Sequence, residues 1–317
     1  MNKTVAVIVA AFNRKELLIK CIDALLDQSR AVDRIYIIDN ASTDGTTEML
    51  TELGYLYNSA IEYVRLPVNV GASGGIHEGM KRAYDDGHDF LWVMDDDAEP
   101  SEGALESLSD SVESKLKDVK DYCLYSCHVE RTMTKFTEPV MLISNGVKYS
   151  TTDYSAIAGT GLHEGDGGPF LGFFLPRFAV EQVGLPNIDT FIWGDSEYFI
   201  RLRENGFRIF YDTNSILFHP QHSFASFRLP LGLFKISRPI WRSFSIPRGA
   251  PFKQYYGLRN SVIIINKQKG FLASLFFGML RGVFIVIIST EKFEALTAVF
   301  WAILDGVRGK MIIRFLP

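Results

Sequence analysis

The first hundred residues alternate short apolar runs with segments of helical spacing, and each apolar run ends on polar residues. Val5 to Ala10 is such a run, and Lys15 to Gln28 follows with Leu18, Ile22, Leu25 and Leu26 at helical spacing. Arg34 to Asp39, Ile61 to Leu66 and Phe90 to Met94 read as further strands, with Thr46 to Leu53 and Ser73 to Asp85 as helices between them. Parallel neighbours need a crossover, and a helix is the usual one. The alternation therefore predicts an α/β fold with a mostly parallel, doubly wound sheet. Ligands of such sheets bind beyond the carboxyl ends of the strands. The polar residues fall there: Asn13 and Arg14, Asp39 and Asn40, Asn69, and Asp95 to Asp97. That coincidence points to one ligand site along the edge.

A chain of 317 residues, 47% hydrophobic, can bury one substantial core plus an appendage. Charge divides it. From Arg228 onward there are 14 Lys and Arg against 3 Asp and Glu, a net of +11, and residues 1–227 carry a net of −15. The split predicts an acidic body over 1–227 and a basic helical region over 228–317 that meets an anionic surface. A nucleic-acid partner is not expected. Asp195 to Asn205 has helical character; Arg208 to Tyr211 and Ile216 to Phe218 read as strands. Pro230 to Pro251 reads as a basic, aromatic linker and Gln254 to Lys267 as a helix. Phe271 to Ser289 is almost uninterrupted apolar sequence with Arg281 near its centre. A mid-bilayer arginine costs a few kcal/mol, so packing on protein or lying in a membrane interface is favoured over spanning.

The cysteines, Cys21, Cys123 and Cys127, are too few for a disulfide framework and suit a reducing compartment. Cys123, Cys127 and His128 lack the second ligand pair of a structural zinc site. The amino-terminal run is short, and Arg14, Lys15 and Glu16 follow it without a small-residue cleavage site. It reads as a buried strand rather than a signal peptide.

Asp95, Asp96 and Asp97 close the apolar run Leu91 to Met94. On an extended strand alternate side chains point the same way, so Asp95 and Asp97 converge and Asp96 points elsewhere. Two converging carboxylates, with phosphate oxygens completing the shell, suit Mg²⁺ or Mn²⁺. A solvated acidic turn is the alternative. Gly71, Gly74 and Gly75 sit between a strand and a helix, where small residues permit close backbone approach and free N–H groups face a phosphate or sugar.

VAVIVAAFNR, IIDNASTDGT, NVGASGGIHEGM and MDDDAEP, in that order, resemble the family 2 glycosyltransferases of the GT-A nucleotide-diphospho-sugar transferase fold, over about residues 4 to 222. The resemblance implies a nucleotide-binding half over about 1–120 and an acceptor half over about 121–227. It implies that Phe12, Asn13 and Arg14 approach the nucleotide and that Asp39 accepts a hydrogen bond from the pyrimidine. A turn with a helix cap is a second use for Asp39-Asn40. Asn69, Gly74, Gly75, Asp95 and Asp96 complete the implied nucleotide-sugar contacts, and His219, with His222 nearby, supplies a third metal ligand beside Asp95 and Asp97. Within FIWGDSEYFIRLRENGFRIFYD the family's catalytic base falls on Asp195, which a helix cap would also explain. Trp193 and Glu197 are the implied acceptor contacts; an ion-pair face with Arg201 and Glu204 is the alternative for Glu197. Galactofuranosyltransferases of the family show Trp-Asp-Asp-x-Glu here, and Gly194 replaces the first Asp.

The expected activity is inverting, metal-dependent (Mn²⁺ or Mg²⁺) transfer from a nucleotide-sugar donor onto a glycan or lipid-linked glycan, in cell-surface polysaccharide synthesis. The site of action is cytoplasmic, peripheral at the inner face of the cell membrane. The segment Asn69 to Gly75 resembles the glycine-rich segment of galactofuranosyltransferases, and that resemblance implies UDP-galactofuranose as donor, with dTDP-rhamnose second. Two rivals are a nucleotidyltransferase, for which Ala10 to Arg14 is not a phosphate-gripping Gly-rich loop, and a non-enzymatic membrane-associated binding module.

Overall fold

Runs of β-branched and aromatic residues form the central strands, and their side chains alternate between two cores. In a computed structural model, which describes residues 3–220, 225–226, 245–246, 251–289 and 291–310, Ile8, Ile38 and Val93 pack to one side of the sheet. Val7, Val9, Ile37, Trp92 and Met94 pack to the other. A sheet covered on both faces is what a helix-connected parallel sheet requires.

The first half follows the sequence closely. β1 (Val5–Ala11), α1 (Lys15–Leu26), β2 (Arg34–Asp39), α2 (Thr46–Glu52), β3 (Ile61–Arg65), α3 (Gly71–Asp85) and β4 (Phe90–Asp95) follow in chain order. Their strands lie in the order β3-β2-β1-β4, all parallel. Beyond β4 the sheet is mixed. After β5 (Glu99–Pro100) and α4 (Ala104–Asp110) come β6 (Tyr122–Val129), β7 (Lys135–Ser144), β8 (Val147–Asp153), β9 (Leu162–Gly165) and β10 (Phe173–Pro176). α5 (Arg177–Val183), α6 (Asp195–Glu204) and β11 (Arg208–Phe218) complete this part. β10 inserts antiparallel between β4 and β6, and β11 runs parallel to β6. The two short strands read after α6 are one strand, β11, with a register shift between Asp212 and Ile216. Asp212 is buried at the shift, and the hydroxyls of Ser107 and Ser111 hold its carboxylate at 2.9 and 2.7 Å.

The chain divides into two compact units. The sheet unit comprises residues 1–188 and 194–221; the helical unit takes residues 222–317 and also the detour 189–193. In the helical unit α7 (Pro251–Lys269), α8 (Phe271–Ile288) and α9 (Lys292–Val307) pack together. Phe191 stacks on Tyr256 of α7 at 4.6 Å, and the buried Arg259 donates to the carbonyls of Asp189 and Thr190. These contacts hold the detour in the helical unit. α7 exceeds the expected helix at both ends, and α9 adds a third helix. Among the described residues no helix is long and apolar enough to cross a membrane. His222, the boundary expected at 227/228 and most of the linker expected at 230–251 lie outside the described residues.

Candidate active site

Neighbouring strand ends assemble the site. Ala10 of β1 pairs with Asp95 of β4, so the residues after both strands emerge side by side. The Phe12 N–H donates to the buried Asp96 at 3.1 Å, and Arg14 donates to Asp96 at 3.3 Å and to Asp97 at 2.8 Å. Asp96 thus turns toward the loop after β1, while Asp95 and Asp97 turn together. His219, one residue beyond β11, places its Nε2 3.1 Å from Asp97. One ligand atom each from Asp95, Asp97 and His219 lies within 4.8 Å of the others, the only such group of acidic, His or Cys side chains among the described residues. Two carboxylates and an imidazole suit a divalent cation.

Burial shapes the charges here. It pushes the Asp95 carboxyl up, against the pull of His219 and Arg14. Burial also carries Asp96 to about 7 although Arg14 and the Phe12 N–H favour its anion. At His219 burial works against protonation, yet the hydrogen bond and charge of Asp97, with Asp95 and Glu138, win and raise it.

Beside this cluster the loops after β1 and β2 are tied together. Asn13 accepts from the Thr43 N–H at 2.7 Å, and its own N–H donates to Ser42 Oγ at 3.0 Å. Asn13 and Ala41 hold left-handed backbone at φ 53° and 61°, a conformation that collects at functional loops. Asp39 is fully buried and accepts from the Tyr63 hydroxyl at 2.6 Å and the Ser42 N–H at 2.9 Å, with Arg65 Nε at 3.6 Å. Each carboxylate oxygen keeps a second lone pair for another donor.

Asp195 is the first residue of α6, and Gly194 occupies the cap position. No side-chain cap bond forms; the Asp195 carboxylate accepts from the next N–H, that of Ser196, at 2.6 Å. Burial carries Asp195 to about 6; the Ser196 N–H opposes it, and the charges of Glu138 and Asp95 add to it. A carboxylate poised near neutrality suits a general base.

A family model, "Glycosyl transferase family 2", matches residues 6–165, half of the chain. The chain belongs to glycosyl transferase family 2. This family 2 chain is 27% identical over 199 residues to the galactofuranosyltransferase GlfT1 of Mycolicibacterium smegmatis, covering 61% of the chain and 63% of that relative. It is 25% identical over 201 residues to the GlfT1 of Mycobacterium tuberculosis, covering 62% of each. The chain therefore spans somewhat under two thirds of the length of these relatives. Solved structures share the fold. GalNAc-T7 with UDP, GalNAc and Mn²⁺ aligns at a TM-score of 0.57 and 13% identity, over 83% of this chain and 48% of that one. S. aureus TarS 1–349 in complex with UDP aligns at 0.53 and 12%, over 96% and 82%.

Several residues of this family 2 chain have packing or ion-pair partners beside the roles the sequence suggests for them. Gly74 and Gly75 lie inside the first turns of α3, which starts two residues earlier than expected, at Gly71. A Cβ on Gly74 would meet Val70 at 2.6 Å, and one on Gly75 would meet Asn40 Nδ2 at 2.8 Å. Close packing thus calls for small residues at both positions, beside the ligand-facing role the resemblance implies for them. Asn69 accepts from the Gly71 N–H at 2.8 Å and so starts that helix. Glu197 takes the ion-pair alternative. Arg201 grips both its oxygens, at 2.8 and 3.1 Å, and also holds the carbonyls of Val183 and Leu185. Trp193, at φ 54°, lies in the helical unit, where a Cβ on Gly257 would meet its ring at 2.5 Å. His128 is buried beside Thr137, at 2.9 Å, and burial pushes it down to about 3, while Cys123 and Cys127 are buried thiols.

Glu138 escapes the sequence reading. It lies on β7 within a register shift between Lys135 and Val140, and its charge acts on Asp195 and His219. Burial raises its own carboxyl, opposed by His219. The available signal is Glu138-Pro139 inside an apolar strand, because proline in a strand marks an edge or a bulge.

Proposed function

We propose that this chain is an inverting glycosyltransferase that moves galactofuranose from UDP-galactofuranose to a hydroxyl of a glycan or lipid-linked glycan. The observation that carries the reading is the convergence of Asp95, Asp97 and His219 at the carboxyl end of the sheet. In this reading residues 1–120 serve the nucleotide, residues 121–227 the acceptor, and residues 228–317 a membrane-associated role. Asp95, Asp97 and His219 would hold Mn²⁺ or Mg²⁺, which when bound offsets the charge of the diphosphate leaving group as a Lewis acid. Arg14 fixes Asp96 and Asp97 so that the cluster is preorganised. Asp195 takes the proton of the acceptor hydroxyl at its carboxylate. The acceptor oxygen then bonds to the anomeric carbon from the face opposite the nucleotide, and UDP departs with the electron pair of the broken C–O bond. Phe12, Asn13 and Arg14 flank the nucleotide, and Asp39, presented by Tyr63 and Ser42, meets the pyrimidine.

The names of the relatives, galactofuranosyltransferases, support the donor. Gly194, standing where the galactofuranosyl pattern has Asp, favours dTDP-rhamnose as the second reading. A lipid-linked acceptor would put the enzyme at the inner face of the cell membrane. The test is a panel of UDP- and dTDP-sugars, with nucleoside diphosphate release followed with and without Mn²⁺ or Mg²⁺. Metal-dependent UDP release from UDP-galactofuranose is expected. Turnover of dTDP-rhamnose alone would replace the donor, and release of pyrophosphate would make the protein a nucleotidyltransferase.

A further inference from the structure

α8 and α9 lie side by side on α7, and the side that each turns away from α7 is apolar. On α8, Arg281 faces α7, donating to Ser261 at 2.8 Å. The opposite side carries Leu272, Phe276, Met279, Val283 and Ile287, spaced i, i+4, i+7, i+11 and i+15 and 54–78% exposed. On α9, Asp305 accepts from Tyr255 of α7 at 2.7 Å, and a Cβ on Gly306 would meet Val262 of α7 at 2.7 Å. The opposite side carries Phe293, Leu296 and Phe300, 54–81% exposed. Both stripes are turned away from α7, on helices that also pack against each other. Contiguous apolar patches of this kind mark interaction surfaces rather than ordinary protein exterior.

Charge at the edge selects the occupant. Lys267 and Lys269 end α7, and Arg308 and Lys310 follow α9, all four exposed. Asn266 donates to the Val307 carbonyl at 3.1 Å, which brings these two chain ends together. The one acidic residue nearby, Asp305, is buried. The exposed acids Glu291 and Glu294 sit at the far turn, beside Lys292. An apolar face with a cationic edge complements anionic headgroups above acyl chains. Arg281 is turned to protein, and the stripe runs the length of α8, whose 18 residues extend roughly 27 Å, a length that can lie in the plane of a lipid surface.

We propose that the α8–α9 face docks on an anionic lipid surface with both helices in its plane. The stripe side chains enter the acyl boundary, and Lys267, Lys269, Arg308 and Lys310 meet lipid phosphates. This deepens the membrane-associated role proposed above, yet vesicle binding needs no sugar nucleotide, so the two can fail separately.

The test is co-flotation of the full chain with vesicles of phosphatidylcholine alone or of equimolar phosphatidylcholine and phosphatidylglycerol. The full chain should float with the mixed vesicles and weaken with added salt, because the attraction is screened. Phe276→Glu with Val283→Glu should reduce flotation about tenfold or more with thermal melting unchanged, since both side chains are exposed. Lys267→Ala with Lys269→Ala should cut the preference for anionic vesicles roughly fivefold per lysine, from ~1 kcal/mol each. Absence of flotation with either vesicle would overturn the proposal. So would a solution dimer that the double glutamate variant dissociates without any change in flotation, for then a second copy covers the face.

Discussion

On the proposed reading, in which Asp195 takes the acceptor proton, raising the pH through about 6 should switch transfer on, because its carboxyl is carried from 3.8 to about 6 and must be ionised to act. Burial is the main cause of the rise, and the negative charges of Glu138 and Asp95 add to it. A base must lose its proton to work, so activity rises with pH. Roughly one tenth of the enzyme is competent at pH 5 and roughly nine tenths at pH 7, a slope of about tenfold per unit on the acid side. UDP release from UDP-galactofuranose at saturating metal, measured from acid to neutral pH, reads this limb. Asp195→Asn should abolish the limb and lower turnover by ~10²-fold or more while calorimetric donor affinity is retained. Glu138→Gln removes a negative neighbour, so it should move the limb to lower pH. Asp96 titrates nearby, at about 7, and the charges that act most on it are those of Arg14, Asp97 and Asp95. A limb owned by Asp96 would therefore stay in place in Glu138→Gln and survive in Asp195→Asn. Either result refutes the assignment of the base.

Asp97→Ala, which removes a carboxylate from the cluster with Asp95 and His219, should cut metal-dependent turnover by more than the ~10–100-fold typical of a residue one shell out from a metal. Full activity across a Mn²⁺ titration would sink the metal site. Gly79→Ala should destabilise the sheet unit by about 1–3 kcal/mol, because its Cβ would overlap Ile8 and meet Ile38 at 3.1 Å. An unchanged urea midpoint would show that α3 can lift off β1 and β2 without cost.

Local sequence determined the first half of the fold and the core of the candidate site. Strand period and turn residues depend on near neighbours along the chain, and so does the tight turn at Asp96-Asp97, just past β4, that lets Asp97 return to Asp95 while Asp96 takes the Phe12 N–H. Those features could be read without knowing what packs where. Residues defined by what lies opposite them could not. Glu138 joins the site because a register shift in β7, far along the chain from Asp95 and Asp195, aims its charge at them. Gly75 is required by packing that no local pattern shows, because Asn40 and Ala10, from the loop after β2 and from β1, fill the space a side chain would need. The Glu197–Arg201 pair is legible one turn apart on α6, but the Val183 and Leu185 carbonyls that also hold Arg201 come from another part of the chain. Trp193 is one residue from Gly194, yet its ring belongs to the helical unit, because Gly257 leaves room for it there. Contacts between residues distant in sequence are set by the packing of whole elements, which no local pattern records.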